Sequence, residues 1–153
     1  MFIRHKKQKV RNMIFYLLNI VIPLLLGLTF YLFFSPAAHV SQWVYEKLKL
    51  ETLQPATTFG RWIGRQLFLR NFFCDACWSY ALSFSVSGAL GGKGKRLVLS
   101  LMISILFCFA LEFAQLLPYV DGTFDGLDIL VELLICCIAH LLIYIYYAKE
   151  KLK

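Results

Sequence analysis

Four carboxylates stand inside apolar stretches of this chain: Asp75, Glu112, Asp128 and Glu132. A charge at the centre of a membrane helix costs ~2.5–3.5 kcal/mol on insertion scales, so such residues turn toward protein or water and tend to be functional. Their neighbours are ordered. Asp128, Glu132, Cys136 and His140 recur every fourth residue, and so do Ser100, Ser104, Cys108 and Glu112, with Gln115 extending the row. Asp75, Ser79 and Ser83 repeat the spacing. Side chains four apart share one helix face. Each of these segments therefore carries a single polar stripe amid leucine, isoleucine and phenylalanine, and a bundle that turns the stripes inward accommodates all of them.

The chemistry open to such a cluster is limited. Asp75, Glu112, Gln115, Asp125, Asp128 and Glu132 would form a polar pocket suited to a cation or an amine-bearing headgroup. Paired carboxylates can also work as general acid and base, but no nucleophile stands beside a base, so no catalytic residue is assigned. Arg70 is the nearest counter-charge in sequence, with Arg61 and Arg65 behind it. His140 lies ~18 Å along its helix from Asp128, which suits a relay or a packing residue rather than a direct partner. Structural roles compete at several positions. Asp128 can be a helix N-cap, Asp121-Gly122 is ordinary turn chemistry, and membrane serines often hydrogen-bond between helices. The Trp78 and Tyr80 rings read as packing. The cysteines are Cys74, Cys77, Cys108, Cys136 and Cys137, an odd count that is no disulfide framework. Cys74 and Cys77 form a CxxC, which can be redox-active, but no second pair at zinc spacing exists. Neither a metal nor a cofactor is expected.

These stripes need long apolar helices. The chain of 153 residues is 59% hydrophobic and only 16% charged, more apolar surface than a soluble fold of this length can hide. Four runs are long enough to cross ~30 Å of hydrocarbon: residues 13–34, 72–90, 97–117 and 127–147. The expected fold is an all-α integral membrane protein, one domain over 1–153, built as a bundle of four transmembrane helices. The first run is too long for the apolar core of a cleaved signal peptide and reads as an uncleaved anchor. Residues 36–71 are amphipathic and read as interfacial helices between the first and second spans, split near Pro55; a re-entrant piece over 59–69 is the alternative.

Charge sets the orientation. The net charge is +7, and its basic residues cluster in the start at 1–12, in the loop Gly91–Arg96 and after Tyr147. The positive-inside rule places these segments, and both termini, in the cytoplasm. The Pro118–Gly126 connection, with Asp121 and Asp125 and no basic residue, then lies outside. No nucleic-acid motif accompanies the basic residues, so nucleic acid is not an expected partner; membrane lipids are.

The C-terminal half resembles a known family. Glu112-Phe113-Ala114-Gln115 closing one helix, then Phe124-Asp125-Gly126-Leu127-Asp128 opening the next, is similar to the Glu-x-x-Gln and Phe-Asp-x-x-Asp signature of the VanZ-like membrane proteins. Asp75, with Trp78 and Tyr80 after it, matches the preceding helix more loosely. The likeness covers about 71–148. Its departures mark a divergent member: Gly122 and Thr123 stand where an arginine is often found, Glu132 replaces a frequent asparagine, and small glycines expected further along the last helix are absent. The resemblance implies a multi-pass protein of the bacterial cytoplasmic membrane and cell envelope, in a family associated with susceptibility to teicoplanin-type glycopeptide antibiotics and without an established reaction. The expected function is binding of lipid-linked envelope material at the outer leaflet. Its rivals are an intramembrane enzyme on a lipid-linked substrate, an ion- or proton-coupled transporter with His140 and Glu132 as relay, and a structural subunit packed against other membrane proteins.

Overall fold

A computed structural model of the protein describes residues 2–34, 39–48, 67–117 and 124–151, with side chains placed over most of them. Five helices account for nearly all of these residues: α1 (Phe2–Phe34), α2 (His39–Leu48), α3 (Leu67–Leu90), α4 (Lys95–Ala114) and α5 (Gly126–Lys151). No strand occurs among the described residues. Three stretches are long and apolar enough to cross a membrane: Gln8–Leu32 in α1, Lys95–Ala114 in α4 and Gly126–Lys149 in α5. This is the make-up of a multi-pass, all-α membrane protein. The leucines and isoleucines on α1, α4 and α5 that would face lipid are exposed, from Met13 and Leu17 to Leu134 and Leu141.

Helix α3 is the hub, packed against α1, α4 and α5. Its 24 residues extend ~36 Å, so it is as long as its neighbours. It is less apolar because Asp75 and four serines interrupt it. Ser79, Ser83 and Ser87 are fully buried and face protein, while Ser85 is exposed and turns its hydroxyl back to the Ala81 carbonyl.

Element boundaries differ from the apolar runs in understandable ways. Helix α1 starts at Phe2 rather than at residue 13, since charged residues form a helix as readily as leucine does. The helix continues through Pro23. Helix α4 stops at Ala114, short of residue 117, where the Gln115 N–H turns back to the Leu111 and Glu112 carbonyls. Between α3 and α4, Gly91, Gly92 and Gly94 all adopt positive φ, the left-handed region that glycine enters without steric cost. Of the segment between the first two long helices, α2 is an amphipathic helix, with Trp43 exposed and Val44 half-buried. Pro55, Arg61, Arg65 and residues 59–66 of the re-entrant alternative lie outside the described residues, and its last three residues, 67–69, belong to α3.

The core is aromatic. Phe84 is fully buried among Ala139, Ile143, Phe15, Tyr16, Ile20 and Tyr80, and Phe15 stacks on Tyr146 at 3.8 Å. Small and polar residues fix how closely α1 approaches. Gly27 lies against Cys77, where an added Cβ would come within 3.0 Å of the cysteine Cβ, and such small-residue contacts let membrane helices pack tightly. Tyr80 donates to the Asn19 side chain at 2.6 Å and Tyr146 to that of Asn12 at 3.0 Å. The bundle thus has two distinct ends. One joins the Gly91–Gly94 loop to Tyr16 and Tyr147 and carries basic residues; the other gathers Phe30 against Phe73 with the acidic residues.

Candidate functional site: an acidic junction on a polar seam

The three stripes meet inside the bundle. On α4 the buried residues are Ser100, Ser104, Cys108 and Glu112, the four-residue row and nothing else. On α5 Glu132, Cys136 and His140 are buried, joined by the apolar Ala139 and Ile143. On α3 the row Ser79, Ser83 and Ser87 is buried below a half-buried Asp75. The physical reason is plain: lipid offers no hydrogen bonds, so the polar face of each helix turns to the others.

At the acidic end Glu112 and Glu132 are 4% and 2% exposed, deep for carboxyl groups. The Gln115 amide donates to Glu112 Oε1 at 2.9 Å. Glu112 Oε2 and Glu132 Oε2 are buried without a hydrogen-bond partner among the described residues. Asp75 and Asp128 lie close enough to act electrostatically on one another and on Glu112 and Glu132. Asp125 acts on both Glu112 and Asp128 from the edge of the cluster. It is exposed, and its Oδ1 accepts the Leu127 N–H at 2.9 Å, which caps α5. The cap therefore belongs to Asp125, not to Asp128, because the helix opens at Gly126 and leaves Asp128 in its first turn. Arg70 sits in α3, but its side chain, like Asp121, lies outside the described residues.

Two recesses lie elsewhere. One of about 460 Å³ runs between α1 and α3 beside Leu18, Pro23, Ala76 and Tyr80; the other, about 610 Å³, lies at the basic end beside Lys93, Tyr144 and Tyr147. Neither is lined by a carboxylate. Among the described residues the acidic cluster is a junction of α3, α4 and α5.

Below the junction, Cys108 and Cys136 sulfurs lie 3.9 Å apart. Farther toward the basic end, His140 Nδ1 bonds the Cys136 carbonyl at 2.8 Å and Nε2 bonds Ser100 Oγ at 3.0 Å. Ser100 Oγ is also 3.0 Å from Ser87 Oγ. His140 is thus tied to serines on two other helices and not to the carboxylates, as its ~18 Å separation from Asp128 requires. Ser87 escaped the sequence reading, although it is the next fourth-residue step after Asp75, Ser79 and Ser83. Asn12 and Asn19 also escaped it; a lone amide in an apolar run was the available signal.

The CxxC takes a packing role. Cys74 Sγ lies 3.6 Å from the Gly27 carbonyl, Cys77 touches Gly27, and all five cysteines are free. Trp78 packs near Phe107 at 6.2 Å, in keeping with the packing read from sequence. Among the described residues no group of three or more His, Cys, Asp or Glu side chains is placed to hold a metal ion.

No family model matches the chain, and neither a curated protein nor a solved structure matches it.

Proposed function

We propose that the chain is a VanZ-like protein of a bacterial cytoplasmic membrane that crosses it four times and receives a cationic, amine-bearing headgroup of lipid-linked envelope material at its acidic junction. One observation carries the binding role. Glu112 and Glu132 are buried together at one end of the bundle, each with a carboxylate oxygen that has no partner among the described residues. A buried carboxyl group left unpaired is costly, and an ammonium group supplies both opposite charge and three donors. Asp75 and Asp128 add negative field beside them.

Two features support four crossings. Helix α3 is long enough, Ser79, Ser83 and Ser87 are buried in the bundle with Asp75 half-buried, and the exposed Ser85 satisfies its hydroxyl on the Ala81 carbonyl. The basic start, the Gly91–Arg96 loop and the C-terminal lysines then fall on one side, which the positive-inside rule makes cytoplasmic. The acidic junction faces outward, where envelope precursors and glycopeptides of the teicoplanin type act. Altered susceptibility to such antibiotics is the expected phenotype.

Dodecylamine and dodecanol, equal in chain length and differing in charge, are the probes. Purified protein in nanodiscs is expected to bind the amine in preference to the alcohol, and Glu112→Gln with Glu132→Gln to abolish the preference. Equal binding of the two probes by the wild-type protein, or a preference that survives both substitutions, refutes the reading. Reporter tags in the Gly91–Gly94 loop and in the 118–124 connection test the topology; labelling of both from the same side contradicts four crossings.

A further inference from the structure

Binding at the acidic junction uses only one end of the polar interior. The stripes continue for most of the bundle's length, and every step of the seam carries a group able to donate or accept a proton. From the junction they run through Cys108 and Cys136, then past Ser83 and Ser104, to the triad His140, Ser100 and Ser87. Beyond Ser87 the Tyr16 hydroxyl follows, near Ser87 and Tyr147 and directly beneath Gly92 of the loop. Lys93 closes the line, its ammonium 4.4 Å from the centre of the Tyr147 ring. The Ser104 hydroxyl is buried and unpartnered among the described residues; that of Ser83 lies by Cys136 and that of Tyr16 by Ser87 and Tyr147.

The triad has a second property. A backbone carbonyl only accepts, so Nδ1 of His140 must carry a hydrogen to bond Cys136 O. In the neutral ring Nε2 is then bare and must accept. Ser100 has one hydroxyl hydrogen and two acceptors for it: Nε2 at 3.0 Å and the Leu97 carbonyl at 2.8 Å. With neutral His140 the Ser100 hydrogen points to Nε2. When Nε2 gains a proton, its new N–H donates to Ser100 Oγ, and the Ser100 hydrogen rotates to Leu97 O. Ser87 can donate to Ser100 in either state. The network is closed in both protonation states, and only one hydroxyl rotor moves between them.

We infer that the seam is a proton route through the bundle, with Glu132 as its station at the acidic end, His140 as its station toward the basic end, and the Ser100 hydroxyl as the rotor that lets His140 take up and release a proton in place. The transfer leaves no net chemical change. On uptake Ser100 passes its hydrogen to His140 Nε2, takes up another in its place and turns that one to the Leu97 carbonyl. On release Nε2 returns its proton to Ser100 Oγ while Ser100 hands its own hydrogen to Ser87, which first turns its hydrogen from Ser100 toward Tyr16. Along the seam the side chains that titrate are Asp75 on α3, Cys108 and Glu112 on α4, Asp128, Glu132, Cys136 and Tyr147 on α5, and Tyr16 on α1. The carboxylates stand at least two helical turns from His140, ~12 Å, so none compensates its charge directly.

The test is proton flux. Vesicles holding the full chain and a trapped pH-sensitive dye are given a potassium gradient and valinomycin to set the potential. Wild-type protein is expected to pass protons faster than protein-free vesicles, and Glu132→Gln and His140→Gln each to return the flux to that baseline. His140→Gln is expected to keep the amine preference at the junction, so failure of the route and failure of the binding site are distinguishable. ¹⁵N spectra of His140 in the unaltered protein supply a check independent of any variant: they should pass between the Nδ1–H neutral form and the doubly protonated form as pH falls. Wild-type flux at baseline, undiminished flux in either variant, or a His140 ring that stays neutral at every pH the fold survives overturns the inference.

Discussion

Ser100→Ala probes the seam most directly, because one oxygen joins three helices. It bonds Ser87 on α3 and His140 on α5. Removing it deletes two interhelical hydrogen bonds and leaves Ser87 Oγ and His140 Nε2 buried without these partners. In water-soluble cores each orphaned group would cost ~1–3 kcal/mol. Interhelical bonds within bilayers are worth less, ~0.6 kcal/mol on average, because the separated helices also find partners. Two such bonds give an expected destabilisation of ~1.2 kcal/mol. The Ser100–His140 bond alone should appear as a coupling of ~0.6 kcal/mol in a double-mutant cycle with His140→Ala. The assay is reversible unfolding of wild type, both single variants and the double variant in bicelles, with stability read at one detergent composition. A coupling indistinguishable from zero refutes the hydrogen-bonded triad. A loss above ~3 kcal/mol refutes the magnitude and means that the orphaned groups find no substitute in the bilayer.

Three further outcomes follow from packing. Phe84→Ala removes the largest fully buried side chain; a cavity of ~100 Å³ at ~24 cal/mol per Å³ predicts a loss of ~2.4 kcal/mol, below the soluble-protein range because lipid is as apolar as the core. Unfolding in bicelles measures it, and a loss under ~0.5 kcal/mol contradicts the aromatic cluster. Gly92→Ala should cost more than Gly94→Ala, as read by thermal melting. Both meet a positive-φ penalty of ~1–3 kcal/mol, but only at Gly92 would the new Cβ strike Tyr16 and Tyr147; equal melting temperatures would show that this contact is absent. Gly27→Leu should separate α1 from α3, since its Cβ alone would press on Cys77. Tyr80 fluorescence and melting temperature should both shift, and an unchanged melting temperature argues against the close approach.

What the sequence determined was periodicity. Apolar length fixed the membrane class, since 59% hydrophobic residues in 153 exceed what so small an interior can hold. The fourth-residue rows of Ser, Cys, Glu and His fixed which face of α4 and α5 turns inward, because a helix in lipid has no other way to satisfy them. Other properties depend on how rows on different helices slide past one another, which no single row encodes. Tertiary structure alone decided that Ser100 meets His140 while Cys108 meets Cys136, and that Ser87 belongs to the same network. It likewise gave Asp125 the cap on α5, a choice made by where the backbone begins to coil. The burial of Ser79, Ser83 and Ser87 on α3 also came only from assembly. Read alone they dilute its hydropathy; packed against three helices, they leave its apolar side to the lipid.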